Sequence, residues 1–344
     1  MRSSFFVLAL MMVGCAVDAG DESTASDEEA IAYGNPGFVQ LYNANSKHLS
    51  EPGRPSFEGT DYTQLLSFMR TQDVLPDVIT LQEVGTKTGR FTSQSCTSVI
   101  ADLDRLVRPS AAKTTWKCIV AAGSPSALDN TPGGVAIIHR ARFEPAEDKR
   151  LVGLYKWTTN GCVREKGGSG WTALVQKFHD GKHTIAFASV HLPVASATNG
   201  NGATADDCSG RNLALIDDAL AATKADVKVI AGDMNHGDAT RHLAKDGTVV
   251  HDWWETTYRT TREKYRDPFY DECAKRNAAE AAVSRCLESD DWTMDNAGSL
   301  NTRIDWVMVD GAKSLEGART IAYKDVDAAV NYSDHRAEML RIRY

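Results

Sequence analysis

Residues 227–235 read Val-Lys-Val-Ile-Ala-Gly-Asp-Met-Asn, and this stretch is the strongest single indication of the fold. Its β-branched and apolar residues predict a buried strand, and Gly232, Asp233 and Asn235 are residue types that end strands in turns. A strand that ends in a carboxylate places that group at the end of a sheet, where solvent and ligands can reach it. Alone, the same residues would also suit an ordinary turn.

Further segments share this design, in which a polar residue stands where an apolar run stops. They are Tyr42-Asn43-Ala44-Asn45, Leu81-Gln82-Glu83-Val84, Ser189-Val190-His191-Leu192, and the closing pair Ile304-Asp305-Trp306 and Ser333-Asp334-His335-Arg336. Each one alone fits a solvated turn or a structural histidine. Four carboxylates and two histidines gathered at one end would repel or titrate abnormally without a cation, so together they indicate a site for a hard divalent metal.

The order of predicted elements favours mixed sheets. Short β-branched and aromatic segments bounded by turn residues predict nine strands, at 38–45, 77–83, 116–121, 134–139, 172–178, 184–192, 227–233, 304–310 and 337–344. Helical spacing of apolar residues occurs at 61–69, 99–106 and 213–220. Because the strands between 143 and 192 have no helix between them, we expect an α/β fold of mixed or antiparallel sheets with helices outside, rather than a doubly wound parallel sheet.

In this order the segments resemble the endonuclease/exonuclease/phosphatase superfamily. It includes deoxyribonucleases of the DNase I type, abasic-site endonucleases, bacterial sphingomyelinases and inositol-polyphosphate 5-phosphatases. The resemblance spans residues 38–344, and its most specific parts are the Leu-Gln-Glu, Gly-Asp-Met-Asn, Ile-Asp-Trp and Ser-Asp-His segments. It implies a DNase I-like, four-layer α/β/β/α sandwich of two mixed β-sheets, with the active site at one end.

The resemblance also implies a metal site. Glu83 matches the glutamate that binds the catalytic cation, Asn43 the asparagine beside it, and Asp334 the aspartate of the terminal motif that also faces the metal. Asn45 stands where some family nucleases carry an aspartate. Since the implied ligands are all oxygen donors, we expect Mg²⁺, with Mn²⁺ able to substitute, rather than Zn²⁺.

The catalytic roles are implied in the same way. His335 matches the histidine that contacts the scissile phosphate, and Asp305 the aspartate that holds that imidazole. Asp233 matches the residue that orients or deprotonates the attacking water, Asn235 the amide that bonds phosphate oxygens, and His191 a second histidine near the leaving group. Hydrolysis of a phosphodiester builds negative charge on oxygen, which a cation and an imidazolium stabilise.

Three functions are compatible with these residues. The first is a secreted or surface-anchored metal-dependent nuclease that hydrolyses DNA, by endonuclease or exonuclease cleavage. The second is a phospholipid or inositol-phosphate hydrolase, sphingomyelinase-like or 5-phosphatase-like, with the same site. The third, a binding protein on a retired catalytic fold, is disfavoured because every core position holds the expected residue type. The formal charge of −8 argues against nucleic-acid binding by a broad basic surface but permits an enzyme that acts on phosphates through a metal.

The amino terminus has the layout of an export signal. Arg2 precedes the apolar run 5–13, and small residues follow, as in a secretory signal peptide. Residues 12–15, ending in Cys15, resemble the lipobox of bacterial lipoproteins. We expect a signal peptide over 1–15, an acidic tether over 16–30, and one domain over 31–344. The protein is then expected to be an outer-membrane or cell-surface lipoprotein, or to be secreted. Its contact with the membrane would be limited to a lipid anchor. No protein partner is implied.

Six cysteines remain after Cys15, and an even number in an exported chain suggests disulfides. Fifteen pairings are open, of which we favour the neighbours Cys96–Cys118, Cys162–Cys208 and Cys273–Cys286.

Residues 255–291 are predicted to be an insertion. Its Tyr258, Tyr265 and Phe269 would either stack on bases, contact a lipid surface, or pack within a disulfide-stapled elaboration.

Overall fold

The computed structural model describes residues 37–45, 75–83, 116–121, 134–158, 161–167, 170–193, 202–235, 242–243, 249–251, 257–279, 282–283, 285–287, 293, 303–321 and 335–344. Within these ranges the side chains of 157, 202–207, 242–243 and 249–251 are not described. No helix among the described residues has the length and apolar character needed to cross a membrane.

Short strands dominate the described secondary structure. The strands are β1 (Phe38–Asn45), β2 (Val78–Gln82), β3 (Trp116–Val120), β4 (Val135–Arg140), β5 (Glu144–Pro145), β6 (Arg150–Gly153), β7 (Tyr155–Thr158), β8 (Gly161–Arg164), β9 (Thr172–Asp180), β10 (His183–His191), β11 (Val227–Asp233), β12 (His242–Leu243), β13 (Val249–His251), β14 (Asp305–Asp310), β15 (Ser314–Ile321) and β16 (Ala337–Arg343). The helices are α1 (Gly202–Ala222), α2 (Arg259–Arg262) and α3 (Pro268–Arg276).

Twelve of the described strands form two six-stranded mixed sheets. The first sheet has the order β15-β16-β1-β2-β4-β3, and the second has the order β14-β11-β10-β9-β5, with β6 also paired to β9. In each sheet one central pair is parallel, β1 with β2 and β10 with β11, and the remaining pairs are antiparallel. Two-stranded pairs, β7–β8 and β12–β13, lie outside these sheets.

Two apolar layers hold the sandwich together. The first lies between the sheets, where Leu41 and Ile137 of the first sheet pack with Phe187 and Val229 of the second. The other lies on the outer face of the second sheet, which α1 and the α2–α3 region cover. The predicted fold of two mixed sheets with helices outside is confirmed, although the helical segments predicted at 61–69 and 99–106 lie outside the described residues.

All nine predicted strands are present, with ends within two residues of the predicted bounds. The strands that the sequence did not predict are short or have exposed, charged residues. The longest of them, β15, includes Glu316, Gly317 and Arg319 and lies at the edge of the first sheet with an irregular register against β16. Such an edge strand is half solvated and lacks the apolar run that marks a buried strand.

The parallel pairs bring polar residues from both sheets to one end of the sandwich. In the second sheet His191 stands opposite Asp233 at the carboxyl ends of β10 and β11, and Asp305 opposes Asp233 from the start of β14. In the first sheet Asn45 ends β1 beside the end of β2, and Glu83 follows β2 directly. Parallel strands that end together place their terminal side chains together, which is how residues far apart in sequence reach one site.

The aromatic residues of the predicted insertion are core residues. Tyr258, Tyr265 and Phe269 are each 1% exposed and pack in the outer apolar layer with Trp306. Of the alternatives that the sequence left open, packing within the protein is therefore confirmed for these three side chains, and base stacking or lipid contact by them is excluded.

Two predicted disulfides are present, Cys162–Cys208 and Cys273–Cys286. The first joins the β7–β8 hairpin to α1, and the second closes the chain that follows α3. Cys118 is also disulfide-bonded. Its predicted partner, Cys96, lies outside the described residues, so that pairing stays a prediction.

Gly232 provides a test of the strand packing beneath Asp233. A Cβ atom at this position would lie 1.9 Å from the carbonyl oxygen of Val190 on the neighbouring strand. We expect Gly232→Ala to lower the free energy of unfolding by more than about 3 kcal/mol, because the backbone has to move. Urea unfolding measures this. Gly181→Ala is the matched control, since that turn glycine has a positive φ but open space around it, and it should cost only about 1–2 kcal/mol. Equal losses would contradict the close approach.

Candidate active site

Six polar side chains from both sheets meet at the end of the sandwich described above. Five of them are residues that the sequence predicted for the site, and the sixth is Asn45. They are Asn45, Glu83, His191, Asp233, Asp305 and His335.

His335 and Asp305 form a buried hydrogen-bonded pair. Nδ1 of His335 lies 2.7 Å from Oδ2 of Asp305, and both side chains are almost fully buried. With Nδ1 engaged, the other ring nitrogen, Nε2, faces the site and lies 4.0 Å from Oδ2 of Asp233. The carboxylate of Asp305 therefore fixes the ring orientation and stabilises the charged imidazolium form.

Asp233 is the hub of the site. Its Oδ2 accepts a hydrogen bond of 2.8 Å from Asn45 Nδ2 and lies 3.6 Å from His191 Nε2. Its Oδ1 accepts a hydrogen bond of 2.7 Å from the backbone N–H of Asn235. Asp233 is 1% exposed, so the neighbouring donors, rather than solvent, hold its carboxylate in place.

Glu83 completes the site from the first sheet. Its Oε1 accepts a hydrogen bond of 3.2 Å from Asn45 Nδ2 and lies 3.8 Å from His191 Nε2. The backbone of Glu83 has a φ of 52°, in the left-handed region that residues other than glycine seldom adopt. Asn235, two residues beyond the end of β11, has the same φ of 52°. Asparagine adopts this region readily, so the strained backbone at the site is that of Glu83, and such strain is frequent where function requires a fixed geometry.

Asn235 braces the ends of two strands. Its side-chain Nδ2 donates a hydrogen bond of 2.7 Å to the carbonyl oxygen of Leu192, just beyond β10. One of its two amide N–H groups is therefore used within the protein, and the predicted contact with a phosphate oxygen would fall to the second. That role stays a prediction.

The predicted role of Asn43, as the asparagine beside Glu83 at the metal site, needs a correction. Residues 43 and 45 point to the same face of β1 and are both fully buried, but Asn43 lies one pleat deeper. Its Oδ1 accepts hydrogen bonds from Thr80 and Gln82 at 2.9 and 3.0 Å, and its Nδ2 donates to Glu338 at 3.3 Å. The asparagine beside Glu83 is Asn45, and the amide of Asn43 is used in the packing beneath the site. The other predicted metal residue, Asp334, lies outside the described residues.

The charge balance of the site favours a cation. Burial is the largest influence on Asp233 and, with the negative charges of Asp305 and Glu83, raises its pKa to about 8. The positive charge of His335 and the N–H of Asn235 act in the opposite direction. A carboxylate in this state gains more from a nearby positive charge than a solvated one does.

The donor atoms suit a divalent ion. Two groups of side chains have ligand atoms within 4.8 Å of one another, namely Glu83 with His191 and Asp233, and Asp233 with Asp305 and His335. In addition, Oδ1 of Asp305 is buried without a hydrogen-bond partner among the described residues. Carboxylate oxygens are the ligands that Mg²⁺ and Mn²⁺ prefer, so the residues present fit such an ion.

Comparison with known proteins identifies the fold. No protein family and no curated protein matches the sequence. Solved structures do match, among them TDP2 from C. elegans, with 15% identity, a TM-score of 0.53 and coverage of 95% of this chain and 82% of its own. An endonuclease/exonuclease/phosphatase family protein from Leptotrichia buccalis has 16% identity, a TM-score of 0.54 and coverage of 89% and 100%. An endonuclease/exonuclease/phosphatase from Bacteroides vulgatus has 14% identity, a TM-score of 0.53 and coverage of 89% and 98%. The chain has the endonuclease/exonuclease/phosphatase fold.

In this endonuclease/exonuclease/phosphatase fold a buried ionic network lies below the site, and the sequence did not predict it. Arg303, 1% exposed, donates to Asp267 through Nη1 at 2.6 Å and to Glu338 through Nη2 at 3.0 Å. The hydroxyl of Tyr258 donates to Asp267 at 2.7 Å, and Asn43 continues the network from Glu338 toward the first sheet. One signal was available in the sequence, since Glu338 interrupts the apolar alternation of β16.

The guanidinium of Arg303 contacts two buried carboxyl groups at different distances. Asp267 also caps α3, accepting backbone N–H groups of Phe269 and Tyr270, and holds the shorter contact to Arg303. Burial, the largest influence on Glu338, raises its pKa to about 8 against the attraction of Arg303. Asp267 thus has the closer contact with Arg303, and the pKa of Glu338 lies well above its ordinary value.

The raised pKa makes the stability contribution of Glu338 depend on pH. Folding raises its pKa from 4.5 to about 8, so its contribution is fully present at low pH and is lost as pH rises toward 8. We expect the unfolding free energy of wild type, relative to Glu338→Gln, to fall by about 1.4 kcal/mol per pH unit between about pH 5 and pH 8. Urea unfolding of both proteins at several pH values measures the slope.

The control for this prediction is Glu316→Gln, at an exposed glutamate that pairs with Arg343. The hydroxyl of Ser314 and the guanidinium of Arg343 lower the pKa of Glu316, so its difference from wild type should be flat over the same range. A flat difference for Glu338→Gln as well would mean that Glu338 is ionised throughout.

Proposed function

We propose that this protein is a divalent-metal-dependent phosphodiesterase whose substrate is DNA. The observation that carries the proposal is the hydrogen-bonded pair His335–Asp305, in which Nε2 of His335 lies 4.0 Å from Oδ2 of Asp233, beside Glu83. An imidazolium and a carboxylate that face one another across a buried space suit the hydrolysis of a phosphate ester, which needs a proton acceptor for water and positive charge for the phosphate.

Each side chain has a role that its contacts suit. Asp233, held by Asn45 and Asn235, is placed to accept a proton from the attacking water. His335 directs Nε2 at the phosphate, and Asp305 keeps its ring in that orientation. His191 lies beside both Glu83 and Asp233, where it can donate to an oxygen of the leaving group.

A cation is part of the proposal, with Glu83 as its principal ligand and Asp334 as a second. Mg²⁺ is the proposed ion, and Mn²⁺ should replace it because it accepts the same ligands. When bound, the ion would offset the negative charge that develops on phosphate oxygens. The raised pKa of Asp233 is consistent with a site that is complete only with added positive charge.

The choice of DNA over a lipid substrate depends on the surface. Tyr258, Tyr265 and Phe269, the aromatic residues best suited to enter a lipid surface, are buried. Among the described residues the one large apolar side chain that is well exposed is Val163, on the β7–β8 hairpin. A lipid-binding enzyme needs a larger apolar patch than one valine. A phospholipid or inositol-phosphate hydrolase remains the alternative that the experiment below tests.

We also propose that the protein is exported, as a lipoprotein anchored at Cys15 or in secreted form. The disulfides Cys162–Cys208 and Cys273–Cys286 support this, since such bonds persist in oxidising compartments. Mass spectrometry of the protein from membrane and medium fractions tests it, because lipidation adds a defined mass to Cys15.

Nicking of supercoiled plasmid by the purified full-length chain tests the activity. We expect cleavage with Mg²⁺ or Mn²⁺, none in EDTA, and a loss of about 10²–10⁴-fold in rate for His335→Ala. His179→Ala is the matched control. His179 is exposed near the end of β9 that lies away from the site, so its substitution should leave the rate unchanged. Cleavage in EDTA would contradict the mechanism. No cleavage, with metal-dependent hydrolysis of sphingomyelin vesicles or inositol polyphosphates, would favour the alternative substrate.

The two asparagines of β1 provide a separate test of the metal site. Asn45→Asp would add a carboxylate beside Glu83 and Asp233, so we expect it to tighten Mn²⁺ binding by about tenfold, since affinity follows the number of charged ligands. Isothermal titration calorimetry measures the affinity. Asn43→Asp is the control and should leave it unchanged, because Asn43 faces Glu338 below the site. Tighter binding by Asn43→Asp alone would restore Asn43 as the ligand.

A further inference from the structure

The start of β14 places the buried side chain of Asp305 at the edge of a sheet. β14 is the edge strand of the second sheet and pairs with β11 on one side only. Near its far end, Val309 exchanges two backbone hydrogen bonds with Arg266, at 2.8 and 2.9 Å, so the α2–α3 region covers that part of the edge. Asp305, the first residue of β14, needs a separate support on its outer edge, because buried backbone N–H groups are rarely left unpaired.

Thr293 supplies that support. It is fully buried, and its Oγ1 accepts hydrogen bonds from the backbone N–H groups of Ile304 and Asp305, at 2.9 and 3.0 Å. A hydroxyl oxygen has two acceptor lone pairs, so one side chain can satisfy both donors.

Thr293 also holds the other half of the catalytic pair. Its carbonyl oxygen accepts a hydrogen bond of 2.6 Å from the backbone N–H of Arg336, the residue that follows His335. One residue therefore contacts the backbone at Asp305 and next to His335, which are 30 positions apart in sequence. The side-chain hydrogen bond of 2.7 Å between Asp305 and His335 closes the same loop of contacts.

We propose that Thr293 is a positioning residue that sets the alignment of His335 with Asp305. This inference rests on the proposed function for its meaning in catalysis, but its geometric part is independent of it. A side chain can rotate to keep a hydrogen bond only if the two backbones stay at the right separation. Thr293 fixes that separation through its hydroxyl on one side and its carbonyl on the other.

Three variants of the full-length chain separate positioning from simple structural support. Thr293→Val keeps the branched shape and the carbonyl but loses the acceptor, and Thr293→Ser restores the acceptor. Thr223→Val is the matched control. Thr223 is also buried, and its Oγ1 accepts the backbone N–H of Ala225, but it precedes β11 at the end of the sandwich away from the site.

The first readout is spectroscopic and does not need activity. In protein labelled with ¹⁵N-histidine, the Nδ1 proton of His335 should give a low-field signal at a fixed pH, assigned by its absence in His335→Gln. We expect Thr293→Val to lose or broaden this signal, and Thr293→Ser and Thr223→Val to keep it. The second readout is steady-state kinetics on the DNA substrate. There Thr293→Val should lower kcat by about 10–100-fold with little change in KM, because misplacement of a catalytic group by a fraction of an ångström slows the chemical step.

Retention of both the signal and kcat in Thr293→Val would overturn the proposal, and so would an equal loss in Thr293→Ser. If the wild-type chain shows no phosphodiesterase activity, the proposed function fails while the signal still decides the positioning role. Should Thr293→Val not fold, Thr293→Cys takes its place, since it keeps a side chain of similar size with a weak acceptor, and the comparison with Thr293→Ser is unchanged.

Discussion

Asp233 is a carboxylate removed from water and placed near two others, Asp305 and Glu83. Burial of a charge without compensation is costly, and the rest of the site consists of the groups that compensate for it. Asn45 and the backbone of Asn235 donate to its two oxygens, and the imidazoles of His191 and His335 lie 3.6 and 4.0 Å from its Oδ2. These donors do not fully offset the negative charge of the three carboxylates. A cation in the proposed mechanism would supply the remaining positive charge.

The same requirement extends one layer deeper. Arg303 lies between Asp267 and Glu338, so the sandwich contains a second buried cluster directly below the first. One of its carboxylates comes from the cap of α3, and the other comes from β16 of the first sheet. The network therefore ties the α2–α3 region and both sheets to one guanidinium. A buried ion pair of this kind is poor evidence for added stability, but it restricts how the three parts can be arranged.

The sequence predicted nine of the described strands and five of the six side chains that meet at the site, because both depend on local patterns. A buried run that stops at Asp233 or His191 reveals the strand and the functional residue together. The sequence does not show how deep a residue of a strand lies. Asn43 and Asn45 occupy the same face in the alternation of β1, and only their hydrogen-bond partners, Glu338 for Asn43 and Asp233 for Asn45, show which of them lies at the site. The contacts of Arg303 and Thr293 were also beyond prediction. These contacts join distant residues through backbone groups or single side chains. Such contacts produce no periodic pattern of residue types from which they could be predicted.

In the proposed function, substrate choice depends on the residues that the fold leaves exposed around this site. The chemistry at the end of the sandwich would be the same for DNA, a phospholipid or an inositol phosphate, because each presents a phosphate ester to the same carboxylate and imidazole. The aromatic residues that would have favoured a lipid surface are used instead to cover the second sheet. The same α2–α3 region contributes Asp267, which contacts Arg303 in the buried network below the site. This region therefore supports the site from within the protein and does not present these aromatic residues to a substrate. The proposed DNA substrate would reach the site through a bound cation, which makes such a substrate compatible with the net charge of −8.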